Sequence, residues 1–285
     1  MRKTLKIEER FYRVLMFLST TFICSALFVI LFSILRTGLP HLSWEMISEM
    51  PHGGYYFGKS GGIFNAIVGS VYLSLGASLL AFLLGLPIAM FINIHLIRFT
   101  RFVAVIRFLL DLLWGVPSIV YGAFGFTIMV FFGMRTSLMA GIITVSLFIL
   151  PIIVRAMDEV LRNVPKGLLE SAKSLGSTNS EIAYVVYFKQ CLPGIITAWL
   201  LAFGRAIGDA ASILFTTGYT DFVPHALNEP AATLPLAIFF QLSSPIPEVR
   251  ERAYAASVIL IFIVLTVSVV SRILSNRYNK NKINF

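Results

Sequence analysis

Six stretches of the chain are apolar on every side for long enough to cross a membrane. Spanning ~30 Å of hydrocarbon takes about 20 helical residues. Residues 14–35 carry no charge, 63–94 are apolar with Pro87 near the end, and 112–133 are uncharged around Pro117. Residues 137–154 follow with Pro151, then 192–218, interrupted by Arg205 and Asp209, and finally 253–270. A further run, 233–242, is too short to span. The pattern predicts six transmembrane helices. A β-barrel needs many strands of about ten alternating residues, and these runs do not alternate. The prolines at 87, 117, 151 and 193 are expected to kink helices that neighbouring helices hold in place. Tyr55, Tyr56 and Trp44 read as interfacial aromatics.

Lys and Arg orient the spans. Placing the N-terminus in the cytoplasm leaves 17 of the 23 on that side, five outside (Arg36, Lys59, Arg135, Arg250, Arg252) and Arg205 within a run. This asymmetry predicts that both termini are cytoplasmic. The first run exceeds a signal-peptide core, and no small-residue cleavage site follows it, so it is expected to stay as an anchor. The expected divisions are a cytoplasmic segment 1–13, an anchor helix 14–35, a transmembrane domain 60–275 with a large cytoplasmic loop 155–191, and a cytoplasmic tail 276–285.

Composition agrees with this layout. Of 285 residues 57% are hydrophobic and 13% charged, with mean hydropathy +0.84. Soluble domains carry roughly 25% charged residues, so a soluble enzyme is excluded. The net charge of +9 reflects basic cytoplasmic loops rather than a nucleic-acid partner. Cys24 lies in an apolar run and Cys191 beside a basic loop, which argues against a disulfide or zinc framework. Four scattered histidines suggest no metal site.

Residues 53–60, GGYYFGKS, match the phosphate-loop pattern G-x-x-x-x-G-K-[ST]. That motif needs a preceding buried strand and a following helix, and Met50-Pro51-His52 is not read as a strand. The segment also falls on the extracytoplasmic side. It is expected to be a glycine-rich loop, so any ATP would be bound elsewhere.

The loop 155–191 reads as two short helices. Pro165 suits a helix start. Leu168, Leu169, Ala172 and Leu175 recur at helical spacing, Gly176 allows a left-handed turn, and Ser180 could cap a second helix from Glu181. Glu170-Ser171-Ala172, then Gly176, then Leu192-Pro193-Gly194 resemble the EAA motif of ABC importer permeases, with Ser171 in place of alanine. In that family the loop forms a coupling helix seated on an ATPase subunit. The resemblance thus implies that Glu170, Ser171, Ala172, Leu175 and Gly176 dock an ATPase.

Arg205 and Asp209 lie within the fifth run. A charge at mid-membrane costs about 2.5–3.5 kcal/mol on insertion scales, so such residues face a path or a partner. Four apart on one helix they could pair. Gly204 and Gly208 form a small-xxx-small pair that would admit another helix. Either a structural ion pair or an anion contact would fit. An arginine fork suits phosphate because it donates two parallel hydrogen bonds and stays charged.

Segments 61–70, 112–125, 150–165, 204–216 (GRAIGDAASILFT) and 233–245 (TLPLAIFFQLSSP) are similar to phosphate importer permeases of the PstA type. The likeness runs from about residue 60 to the last span. It implies an all-α membrane protein with the type I ABC importer permease (MetI-like) fold, six helices and a cytoplasmic coupling-helix loop. The family pattern R-A-x-G-E puts Arg205 at the position associated with phosphate passage. Asp209 replaces the glutamate with a side chain one methylene shorter, and is expected to tether Arg205 between passages. The implied function is phosphate import across the inner membrane, with sulfate or molybdate as the alternative cargo. The implied partners are a second, PstC-type permease, two PstB-type ATPase subunits that bind ATP and Mg, and a PstS-type binding protein. No cofactor and no catalysis are implied for this chain. A stand-alone secondary transporter would leave the EAA-like loop unexplained. A membrane enzyme would need clustered catalytic side chains.

Overall fold

The structure, a computed structural model, describes residues 2–52 and 60–279. Helix α1 (Arg2–Gly38) leads through a 3-10 turn, Leu39–His41, to the short α2 (Trp44–Ser48), capped by the Ser43 hydroxyl. Strands β1 (Pro51–His52) and β2 (Ser60–Gly61) pair antiparallel, with Pro51 opposite Gly61. Residues 50–52 therefore do contribute a strand, contrary to expectation. Its partner is the end of its own loop, which is not the parallel strand-to-helix setting of a phosphate loop. Residues 53–59 of that motif, with Tyr55 and Tyr56, lie outside the described residues.

Helix α3 (Phe64–Met90), extended by a π-helical turn Phe91–His95, is the centre of the bundle. Most of its buried positions are small: Ala66, Gly69, Ser70, Ser74, Ala77, Ser78, Ala81, Gly85 and Ala89, with Asn65, Leu73 and Met90 the larger ones. Without a hydrophobic driving force between helices in lipid, small residues gain packing by letting backbones approach. An added Cβ would sit 2.6 Å from Ile142 at Gly76 and 3.0 Å from Ile153 at Gly85, so both glycines let α3 approach α6 (Leu138–Arg162) closely. Ser74 donates to the carbonyl of Ser70 at 2.6 Å, so its hydroxyl is satisfied within the helix. Leu73, Val145, Ile149, Ile153 and Met157 form the apolar centre.

The third crossing is broken. Helices α4 (Thr100–Gly115) and α5 (Ser118–Phe131) meet at 95° across Val116-Pro117. Along α4 and α5 in turn, Arg107 meets Asp158, Asp111 meets Arg155, Tyr121 meets Phe148 and Gly125 lies against Thr144. Numbers rise on one side as they fall on α6, so both pieces climb toward the same end of α6. A re-entrant loop would turn back. The pair is one broken crossing, which with α1, α3, α6, α9 and α11 makes six among the described residues. Pro117 marks this bend, whereas Pro87, Pro151 and Pro193 lie inside continuing helices.

Helix α6 runs past the expected loop boundary to Arg162. Then come α7 (Lys166–Ser174), a single turn α8 (Asn179–Glu181), a π-helical stretch Ile182–Tyr187, and α9 (Phe188–Ile207). The helix ends at Ile207, eleven residues short of the end of the apolar run. Residues 208–233 are irregular; 225–229 are exposed, but Ser212, Thr216, Thr217 and Thr233 are buried. Such backbone survives at membrane depth only where protein covers it. Asn65 of α3 donates to the Thr220 carbonyl at 2.7 Å, and Leu234 N–H donates to Ser70 Oγ at 2.7 Å. The short run becomes α10 (Leu234–Leu242), a nine-residue helix that does not span. Helix α11 (Pro247–Asn279) closes the bundle against α9, α10 and α1. Helix α1 touches the bundle where Gly38 lies against Tyr254 and Val258. Its large apolar residues from Phe11 to Phe32 are otherwise exposed, as for an anchor facing lipid.

Candidate translocation face and docking knob

Arg205 lies in the last turn of α9, exposed. Its guanidinium carbon is 5.3 Å from the ring centroid of Phe148 on α6. That ring faces Tyr121 of α5 edge-on at 5.6 Å. The Tyr121 hydroxyl donates to the Leu113 carbonyl at 3.0 Å, satisfying an acceptor left open where α4 ends. Arg205 thus sits beside the break in the third crossing. The electron-rich ring face holds the cation without using its hydrogen-bond donors.

The expected pair with Asp209 does not form. The helix ends before Asp209, whose carboxylate accepts the Ser212 N–H at 2.9 Å and caps the following turn. The i,i+4 geometry that would join the two side chains is lost with the helix. Among the described residues no carboxylate lies within salt-bridge distance of Arg205. Gly204 and Gly208 likewise do not seat a helix of this chain: a Cβ at Gly204 would meet nothing within 4 Å, and at Gly208 only the Gly204 carbonyl at 3.8 Å. Leu201, 60% exposed, Gly204, Arg205 and Gly208 share one helical face, spaced three and four apart. That face is open and carries one cation.

A second cluster escaped the apolar pattern. Asp158, fully buried on α6, receives two hydrogen bonds from Arg107 of α4, each 2.9 Å, one from Arg155 at 3.0 Å, and one from Asn93 of the π turn at 2.8 Å. Arg155 also holds Asp111 at 2.6 and 3.3 Å. Asp111 is therefore inside α4 and held in an ion pair. The π turn matters because its extra residue per turn places Asn93 inward. The i,i+3 spacing of Arg155 and Asp158 was legible in the sequence. Their partners 44 to 65 residues away were not.

The docking residues lie on α7 and its end. Leu169 and Ala172 are buried against the bundle and Leu168 half-buried, while Glu170 and Ser171 face outward. Gly176 adopts φ +82°, its N–H bonds the Lys173 carbonyl at 3.0 Å, and Ser177 N–H bonds Ala172 at 3.1 Å. This is the Schellman ending, in which only glycine takes the left-handed position without cost. Leu175 departs from the expected inward face: the helix has ended, and it stands 86% exposed. The second helix begins two residues earlier than expected. Thr178, not Ser180, is its cap, in a reciprocal capping box with Glu181.

Residues 81–282 match the family model for the binding-protein-dependent transport system inner membrane component. The chain belongs to this family. The permease is 32% identical over 271 residues to the phosphate transport system permease protein PstA of Pasteurella multocida (strain Pm70), covering 94% of each chain. It is 34% identical over 248 residues to the protein of that name from Yersinia pestis, covering 86% of this chain and 82% of the relative. Among solved structures, a MetNI methionine ABC transporter in an inward-facing conformation aligns at TM-score 0.61. That alignment has 18% identity and covers 75% of this chain and 95% of the other. At that identity the likeness concerns the fold, which is the MetI-like permease fold. The family and the apolar spans make the permease a multi-pass inner-membrane protein.

Proposed function

We propose that this permease carries inorganic phosphate across the inner membrane as one subunit of an ATP-driven importer. The observation that carries this reading is Arg205: a cation within a membrane span, on an open helix face, with its donors uncommitted. A tetrahedral oxyanion can accept two parallel bonds from such a fork. The ring beneath it, and the absence of a tethering carboxylate among the described residues, leave the cation available to the anion. The names of the relatives favour phosphate over sulfate or molybdate.

A PstC-type permease would face the open α9 surface, and a PstS-type protein would deliver phosphate from outside. Two PstB-type subunits would bind ATP and Mg. One would grip α7 through Glu170, Ser171 and Leu175, with Ala172 and Gly176 shaping the knob. Both termini would be cytoplasmic, the orientation that the basic asymmetry favours. Helix α7 joins α6 through Asn163, Val164 and Pro165. The Asp158 cluster in turn clasps α6 to α3 and α4. A push on α7 would therefore reach the bend at Val116-Pro117, beside Phe148 and Arg205.

Phosphate uptake in phosphate-starved cells tests the cargo. Uptake should vanish without the chain and resist competition by sulfate and molybdate; persistence of phosphate uptake with loss of another oxyanion would reassign the cargo. Docking is tested separately. Glu170→Lys should reduce ATPase co-purification at least about tenfold, equivalent to about 1.4 kcal/mol, with normal membrane insertion. Undiminished co-purification would remove Glu170 from the interface.

A further inference from the structure

Helix α3, its π turn and the start of α4 form a groove of about 520 Å³ on the side of the bundle bearing α7. Pro87, Ile88 and Phe91 make one wall, Phe102 and Ile106 the other, and Leu96 closes the end. The lining is almost wholly apolar. From Pro87 to Leu96 the helix rises about 14 Å. That is about half of the ~30 Å hydrocarbon thickness, the depth of one leaflet. The groove lies on the outside of the bundle: Ile88, Phe91 and Phe102 are also exposed.

The turn that closes the groove carries Arg98, and the α4 helix that follows it carries Arg101 in its first turn. Both are exposed, and among the described residues neither has an acidic partner within salt-bridge distance. Arg98 is two residues beyond Leu96, and Arg101 adjoins Phe102. The site thus pairs an apolar slot one leaflet deep with two cations at its membrane-surface end. We infer that it binds an anionic phospholipid, one acyl chain lying between α3 and α4 and the headgroup phosphate held by Arg98 and Arg101. Basic pockets between helices on the cytoplasmic side recognise such headgroups through charge, and the apolar slot supplies the remainder. A partner helix would gain nothing from the two cations unless it brought acidic residues to them. The site is remote from Arg205 and does not depend on the cargo.

Native mass spectrometry of the full-length chain, released from detergent after exposure to phosphatidylglycerol or phosphatidylcholine, reads the site directly. One phosphatidylglycerol should be retained above the phosphatidylcholine background. Arg98→Gln with Arg101→Gln should weaken retention about 30-fold, the effect of two basic side chains near an anionic surface. The corresponding double lysine variant should keep it. Ile88→Trp, which fills the slot and spares the arginines, should also lose the lipid. Equal retention of the two lipids overturns the inference, as does unchanged retention in the glutamine variant. Undiminished phosphatidylglycerol retention by Ile88→Trp also overturns it, because the acyl chain would then not lie in the groove.

Discussion

Arg205→Gln should reduce phosphate uptake at least about 100-fold while the importer still assembles. Hydrogen bonds to charged groups are worth about 1.5–3 kcal/mol each, and a fork makes two. Losing both exceeds the ~2.8 kcal/mol that a hundredfold change represents. Assembly should persist because Arg205 is exposed and its contact within the chain is the Phe148 ring, which a glutamine stem can still cover. Arg205→Lys should fall between the two, keeping charge but losing the planar fork. The assay is radiolabelled phosphate uptake alongside pull-down of the complex. Native uptake in the glutamine variant would return Arg205 to a packing role over Phe148.

Asp158→Ala should have the largest effect on stability. Its carboxylate is buried and accepts from Arg107, Arg155 and Asn93. Removing it leaves Arg107 without its anion and sets that cation near Arg155. Breaking a buried pair from one side costs about 3–5 kcal/mol, because the surviving charge stays desolvated. Thermal unfolding in detergent should show a strongly lowered midpoint. Replacing both sides, Asp158→Leu with Arg107→Met, should recover much of the loss, since no lone charge remains. Arg155 keeps Asp111 in that variant. An Asp158→Ala protein as stable as the native one would mean that water reaches the cluster and screens it.

These two residues mark how far the sequence could be read. Arg205 stood out because a charge in an apolar run is costly and so conspicuous. Its surroundings did not, since Phe148 and Tyr121 come from other helices. The apolar run through residue 218 suggested a continuous helix because hydropathy records burial and not backbone conformation. The buried stretch after Ile207 satisfies part of its backbone through Asn65 and Ser70, which no local pattern reveals. The charged half of α4 fell outside the uncharged run 112–133 for the complementary reason. An arginine and an aspartate that pair across helices can sit inside a bundle, yet each alone reads as an end of a span.

The sequence by itself determined the membrane class, the six crossings, the basic asymmetry, the knob with its Gly176 ending and the resemblance to importer permeases. All of these depend on properties that single residues or neighbours carry: hydrophobicity over 20 residues, helix ends, the sign of a loop. The tertiary structure alone decided that the third crossing is broken, that Asp209 caps a turn instead of pairing with Arg205, and that Asp158 binds three helical segments together. Those outcomes turn on which side chains packing brings within about 3 Å of one another. Partners 44 to 65 residues apart are set by the crossing of helices and not by the order of the chain.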